Sequence, residues 1–146
     1  MQTESRRETM RNNHPQTALD RSRRFPVWKA LSQLYLDTKL QQDDYKQIGT
    51  ILYSSGFTLA EIKAIHRYEV VPVVGTNLMS AAGVWTGFDD AWLQTQCTKA
   101  YEKRSRCAYR WRINVYLFFF GSLFKKVEQT IKAHFLNVRV RSNDSI

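Results

Sequence analysis

Short catalytic signatures are absent from this 146-residue chain. It has no Gly-x-Ser-x-Gly elbow, no Gly-x-x-x-x-Gly-Lys-Ser/Thr loop and no Gly-x-Gly-x-x-Gly turn. The strained serine, the phosphate cradle and the dinucleotide turn that these patterns build are therefore not announced. Cysteine is scarce: Cys97 and Cys107 do not stack on one helix face, and neither belongs to a metal-type Cys-x-x-Cys pair. Two unpaired thiols fit a reducing cytosol. Of the three histidines, only His66 has a carboxylate at helical spacing, Glu69. Two groups on one face begin a metal site without completing one. Long hydrophobic runs are missing too. The longest, Ile113 to Phe124 (INVYLFFFGSLF), is about 12 residues against the ~20 a membrane span needs, so a buried helix is expected there, with interfacial contact as the alternative. The opening MQTESRRETMRNNHPQ holds no apolar core of signal-peptide length, so export by that route is not expected. No internal repeat is visible.

What is present is a core-forming composition and an uneven charge. A hydrophobic fraction of 43% and an aromatic fraction of 13% are those of a globular chain. A single domain of this length buries roughly two thirds of the surface its unfolded chain exposes. The net charge of +9 divides as +3 over residues 1–24, −2 over 25–96 and +8 over 97–146. Such a basic C-terminal third favours an acidic protein surface, nucleic acid or anionic lipid.

Periodicity predicts an all-α bundle of five or six helices. A first helix is expected from Pro26, which suits a first helical turn, to Thr38, with Val27, Trp28, Leu31, Leu34 and Tyr35 inward. A second should start at Asp43 and Asp44 and stop at Gly56, with Tyr45, Ile48 and Leu52 inward. Thr58 and Glu61 form a capping box for a third, which faces Leu59, Ile62 and Ile65 inward and meets a boundary at Pro72. Asp89 or Asp90 can cap a long C-terminal helical region in which Leu93, Cys97, Ala100, Ala108, Trp111, Val115 and Phe118 keep one register, interrupted by Arg104. Gly121 is expected to bend it before a last helix with Phe124, Val127, Ile131 and Phe135 on one face. The resulting organisation is a flexible basic arm over 1–24, one helical domain over 25–137 and a tail over 138–146.

Phe25 to Leu93 carries a Pro-Val-Trp opening, a Leu-Asp-Thr turn, a Glu-Val-x-Pro-Val segment and a Gly-x-Trp-x-Gly-Phe-Asp-x-x-Trp-Leu run. This half of the chain resembles a family of small, uncharacterised bacterial proteins sharing a domain of unknown function. The resemblance implies no activity, and the basic extension over 94–137 lies beyond it. Within the resembling part, Gly75, Gly83 and Gly87 permit close approach of a bulky ring such as Trp85, Phe88 or Trp92. One reading is a folded-back connection that closes the bundle, with Asn77 and Ser80 capping a short helix over residues 78–82. The other is a partner-binding loop with Trp85 as its ring and Asp89 and Asp90 as acceptors.

Lys99, Lys103, Arg106 and Arg110 follow i, i+4, i+7, i+11 spacing and would form one basic face of a continuous helix, near Tyr109, Trp111 and Arg112. The expected protein is a non-enzymatic cytoplasmic interaction module whose partner presents an acidic surface to that face or to the Trp85 to Asp90 loop. The alternative is nucleic-acid binding by the same face and the N-terminal arm. Peripheral membrane contact ranks behind both. No catalytic residue, cofactor or metal is assigned.

Overall fold

A computed structural model describes residues 15–36, 40–78 and 87–146. The first helix, α1, spans Pro15–Gln33, so it starts well before Pro26, which lies inside it. A proline at such a position removes one backbone donor and costs roughly 3 kcal/mol in an isolated helix. Tertiary bonds offset it. Asp20, Arg24 and Trp28 recur every fourth residue and share a face. Along that face Tyr101 Oη donates to Asp20 Oδ2 (2.7 Å), Arg24 Nη1 to Glu69 Oε1 (2.8 Å) and Trp28 Nε1 to Glu69 Oε2 (2.7 Å). The expectation of a flexible arm is thus corrected for residues 15–24, which are helical; residues 1–14 lie outside the described part. The helix also ends earlier than expected. The amides of Leu34, Tyr35 and Leu36 turn back to carbonyls three residues behind, a tightening that closes α1 before Thr38, itself outside the described residues.

Helix α2 (Gln42–Ser54) starts where its acidic residues predict: the Gln41 amide donates to Asp44 Oδ2 at 2.7 Å. It stops at Gly56, whose φ of 77° is the left-handed geometry that glycine adopts without strain. Helix α3 (Leu59–Ile65) opens with the expected capping box, Glu61 N donating to Thr58 Oγ1 and Thr58 N to Glu61 Oε2. The chain then stays helical through a wide π-helical turn, His66–Val70, into α4 (Val71–Leu78). Pro72 therefore lies within helix rather than at its end. It has no amide hydrogen for the carbonyl four residues back, Tyr68 O, and that oxygen accepts the Tyr109 hydroxyl at 2.8 Å.

Helix α5 (Asp90–Lys103) has Asp89 as its N-cap, the carboxylate accepting from the Trp92 amide at 2.7 Å. The region expected to continue as one helix instead breaks over residues 104–106, and α6 (Cys107–Asp144) begins anew. Arg104 makes the break: its guanidinium folds back 3.5 Å above the Tyr101 ring and donates to the Tyr101 carbonyl. Helix α6 kinks at Phe120, next to the glycine expected to bend it, and it runs through most of the supposed tail.

No strand occurs among the described residues, and the fold is all-α. Trp28, Leu31, Leu52, Ile62, Val70, Val74, Leu93 and Ile131 fill one core. Helix α2 packs chiefly on the C-terminal half of α6, while α1 and α5 pack on each other and on the π-turn. The backbones of α2 and α6 approach closely at Gly49, where a Cβ would meet His134 O at 2.9 Å.

Candidate functional site

The π-turn places two buried polar groups on different neighbours. A π-turn takes more residues per turn than an α-helix, so residues three apart fall further short of a full turn, and His66 and Glu69 do not converge. Glu69, 2% exposed, is held by Arg24 and Trp28. Burial pushes its carboxyl pKa upward, against the pull of Arg24 and the Trp28 N–H. His66, with no exposed surface, meets the Tyr35 hydroxyl at Nε2 and stands 3.8 Å from Glu128 Oε1 at Nδ1. The direction of the Tyr35–His66 hydrogen bond follows the His66 tautomer, and burial raises the Tyr35 phenol far above its usual range. Burial also lowers the His66 pKa, while the His66 ring and then Arg67 hold Glu128 down to about 2. Among the described residues no group of three or more His, Cys, Asp or Glu side chains is placed to hold a metal ion.

Two surfaces face outward. The first is a cavity of about 650 Å³ between α4, α5 and the start of α6, with Val71, Val73, Ala100 and Ile113 among its apolar walls. Trp92, Tyr109 and Tyr116 supply rings, and Lys99, Lys103 and Arg112 supply cations. Gly75 has the close approach expected of it, but to Tyr116: a Cβ there would lie 2.9 Å from the Tyr116 hydroxyl.

The second surface is the outer side of α6. Trp111 (68% exposed), Phe118 (84%), Phe119 (74%) and Leu123 (51%) project away from the bundle. The expected buried register through Ala108, Trp111, Val115 and Phe118 is therefore overturned, as is burial of most of the run after Ile113. The break at Arg104 resets the helical phase, so Ile113, Phe124, Val127, Ile131 and Phe135 face the core and the earlier stripe faces out. Helix α6 thus has apolar side chains on opposite sides, and the pattern alone does not choose which is covered.

The predicted basic face separates at the same break. Lys99 and Lys103 lie on α5 and border the cavity; Arg110 lies on α6 against the Tyr68 ring, at 4.6 Å, and Arg106 precedes that helix. Arg110 borders a different, smaller cleft of about 330 Å³, with Arg24, Glu69 and Arg104. Asp89 and Asp90 serve structure: Asp89 caps α5, and Asp90 pairs with Lys29 of α1 at 2.8 Å. Trp85, Gly83, Ser80 and residues 79–82 of the expected short helix lie outside the described residues. Tyr116 and Gln96 were not singled out by sequence; the glycine at 75 was the available signal for a ring beside it. Cys97 is buried and Cys107 exposed, and burial pushes the Cys97 thiol up to about 12.

A closed helical core, an open cavity lined by cations and an exposed aromatic helix face characterise this all-α domain. The chain belongs to the family described as Domain of unknown function (DUF7079), which matches residues 22–134. The match begins inside α1 and continues through α5 and most of α6, well past Leu93, where the sequence resemblance stopped. No curated protein and no solved structure matches the chain.

Proposed function

We propose that the protein is a non-enzymatic interaction module that docks an acidic protein partner on the outer face of α6. The observation that carries this is the exposure of Trp111, Phe118, Phe119 and Leu123 on the outer side of α6, on both sides of its kink at Phe120. Contiguous exposed apolar surface of this kind marks interaction sites on soluble proteins, and aromatic and arginine side chains dominate the energetics of such interfaces. Charge selects the occupant. Between Glu102 and Glu128 the chain carries seven Lys and Arg and no carboxylate. A second copy would bring like charges together, whereas a groove rimmed with Asp and Glu would complement them. The setting we propose is the cytoplasm, supported by the two free thiols. No described helix is long and apolar enough to cross a membrane.

The test compares proteins captured from nuclease-treated lysate by the native chain, by Phe118→Ser/Phe119→Ser and by Lys125→Glu/Lys126→Glu. The expected result is one acidic protein retained by the native chain, lost from both variants and released by added salt. Retention of the same proteins by the aromatic variant refutes the assignment. Loss of all retained material on nuclease treatment replaces it with nucleic-acid binding. Sedimentation with phosphatidylglycerol vesicles that depends on Phe118 and Phe119 replaces it with a membrane surface.

A further inference from the structure

The cavity between α4, α5 and α6 is separate from the outer face of α6 and has a chemistry of its own. At about 650 Å³ it is of the size that encloses small organic ligands. No Asp or Glu is among its described lining residues. Lys99 and Lys103 stand one helical turn apart on α5, and Arg112 approaches from α6. None of the three makes an ion pair with a described carboxylate. In the smaller cleft, by contrast, Arg24 is paired with Glu69, and Arg104 is folded onto Tyr101. Three uncompensated positive charges at the mouth of an apolar cavity raise the local potential and concentrate anions there.

The remaining walls limit what that anion is. The Tyr109 hydroxyl donates a hydrogen bond to the Tyr68 carbonyl, and burial raises its pKa to about 12, so its ring is a neutral, fixed wall. Trp92 is anchored by stacking on Phe88, with ring centroids 5.9 Å apart. Tyr116 is set against Gly75, where any larger residue would displace it. Rigid aromatic walls favour a flat or apolar body and contribute contact area at little conformational cost. A bare inorganic anion would leave this apolar surface wet, and an uncharged hydrocarbon would leave the cations unused.

We infer that this cavity binds a small amphipathic organic anion, its carboxylate or phosphate held by Lys99, Lys103 and Arg112 and its apolar body seated between Trp92, Tyr109 and Tyr116. The site is independent of any protein partner on α6 and is tested with the purified chain.

The probes are 2-naphthoate, 2-naphthyl phosphate and the uncharged 2-naphthamide, titrated while the Trp92 indole N–H is followed by ¹H–¹⁵N spectroscopy and assigned through Trp92→Phe. The expected result is a saturable shift with either anion and binding at least about tenfold weaker for the amide, the scale of one charge-assisted contact. Lys103→Gln/Arg112→Gln should weaken the anions by a similar factor, leave the amide unchanged and keep the native melting temperature, since both side chains are exposed. Preference between carboxylate and phosphate identifies the acid group. Absence of a saturable shift, equal binding of the amide, or loss of binding in Phe118→Ser/Phe119→Ser rather than in the cation variant overturns the inference.

Discussion

Replacing Gly49 by Ala tests how closely α2 and α6 are packed. A Cβ at this position would lie 2.9 Å from the His134 carbonyl oxygen and 3.1 Å from His134 Cβ. The obstructing oxygen belongs to helix backbone and cannot rotate aside, so the two helices must separate by several tenths of an ångström. That separation would loosen Ile48, Leu52, Ile131 and Phe135, all buried. Overpacking of this kind costs about 1–3 kcal/mol, while exchanging glycine for alanine inside a helix returns about 1 kcal/mol. The net expectation is a loss of up to about 2 kcal/mol, or up to about 6 °C in Tm for a domain of this size. Gly121→Ala is the control, because nothing lies within 4 Å of its added methyl group and only the helix-propensity gain of about 0.5–1 kcal/mol remains. Urea unfolding followed by circular dichroism should give the two substitutions opposite signs. A Gly49→Ala variant stabilised as much as Gly121→Ala would refute the close approach of α2 and α6.

Arg24→Met should destabilise by about 3 kcal/mol, because it strands the Glu69 carboxylate in the core; adding Glu69→Gln, which keeps an acceptor for Trp28, should recover part of the loss in urea unfolding, and no recovery would show that Arg24 acts through packing alone. Asp89→Ala should cost about 1 kcal/mol by removing the N-cap of α5, whereas Asp89→Ser should cost little; equal losses would sink the capping role. Stability should fall as pH drops. Burial lowers the folded-state pKa of His66 below the ordinary 6.5 of a histidine, so its contribution is present above that value and is lost as pH falls through the lowered pKa. Glu128, held down to about 2 from 4.5, adds a second loss between those values. Melting temperatures of Glu128→Gln across this range should lack the second loss, and an unchanged profile would remove Glu128 from the account.

Local rules written in adjacent residues were legible. The Gly56 stop, the Thr58–Glu61 box, the Asp89 cap and the Phe124-Val127-Ile131-Phe135 stripe each depend on neighbours within one or two turns. Features requiring distant partners were not. Residues 15–24 lack an apolar stripe because their inward face is Asp20 and Arg24, and Arg24 meets its carboxylate at position 69. The break at Arg104 had one visible sign, a charged residue in an apolar register, but its cause is a cation folded onto the preceding tyrosine. With the helical phase lost there, the basic residues divided between two helices and the aromatic stripe emerged on the outside. The rings of the cavity were visible as residue types; their convergence is a property of how α4, α5 and α6 meet.

The unequal placement of the two cysteines gives the protein an internal clock. A maleimide added to the native chain should modify Cys107 at once, and it reaches Cys97 only when the core opens, since that side chain has no exposed surface. The first reaction calibrates the reagent and the second times the opening. Core fluctuations can therefore be followed in the native sequence, without introducing a label or a denaturant.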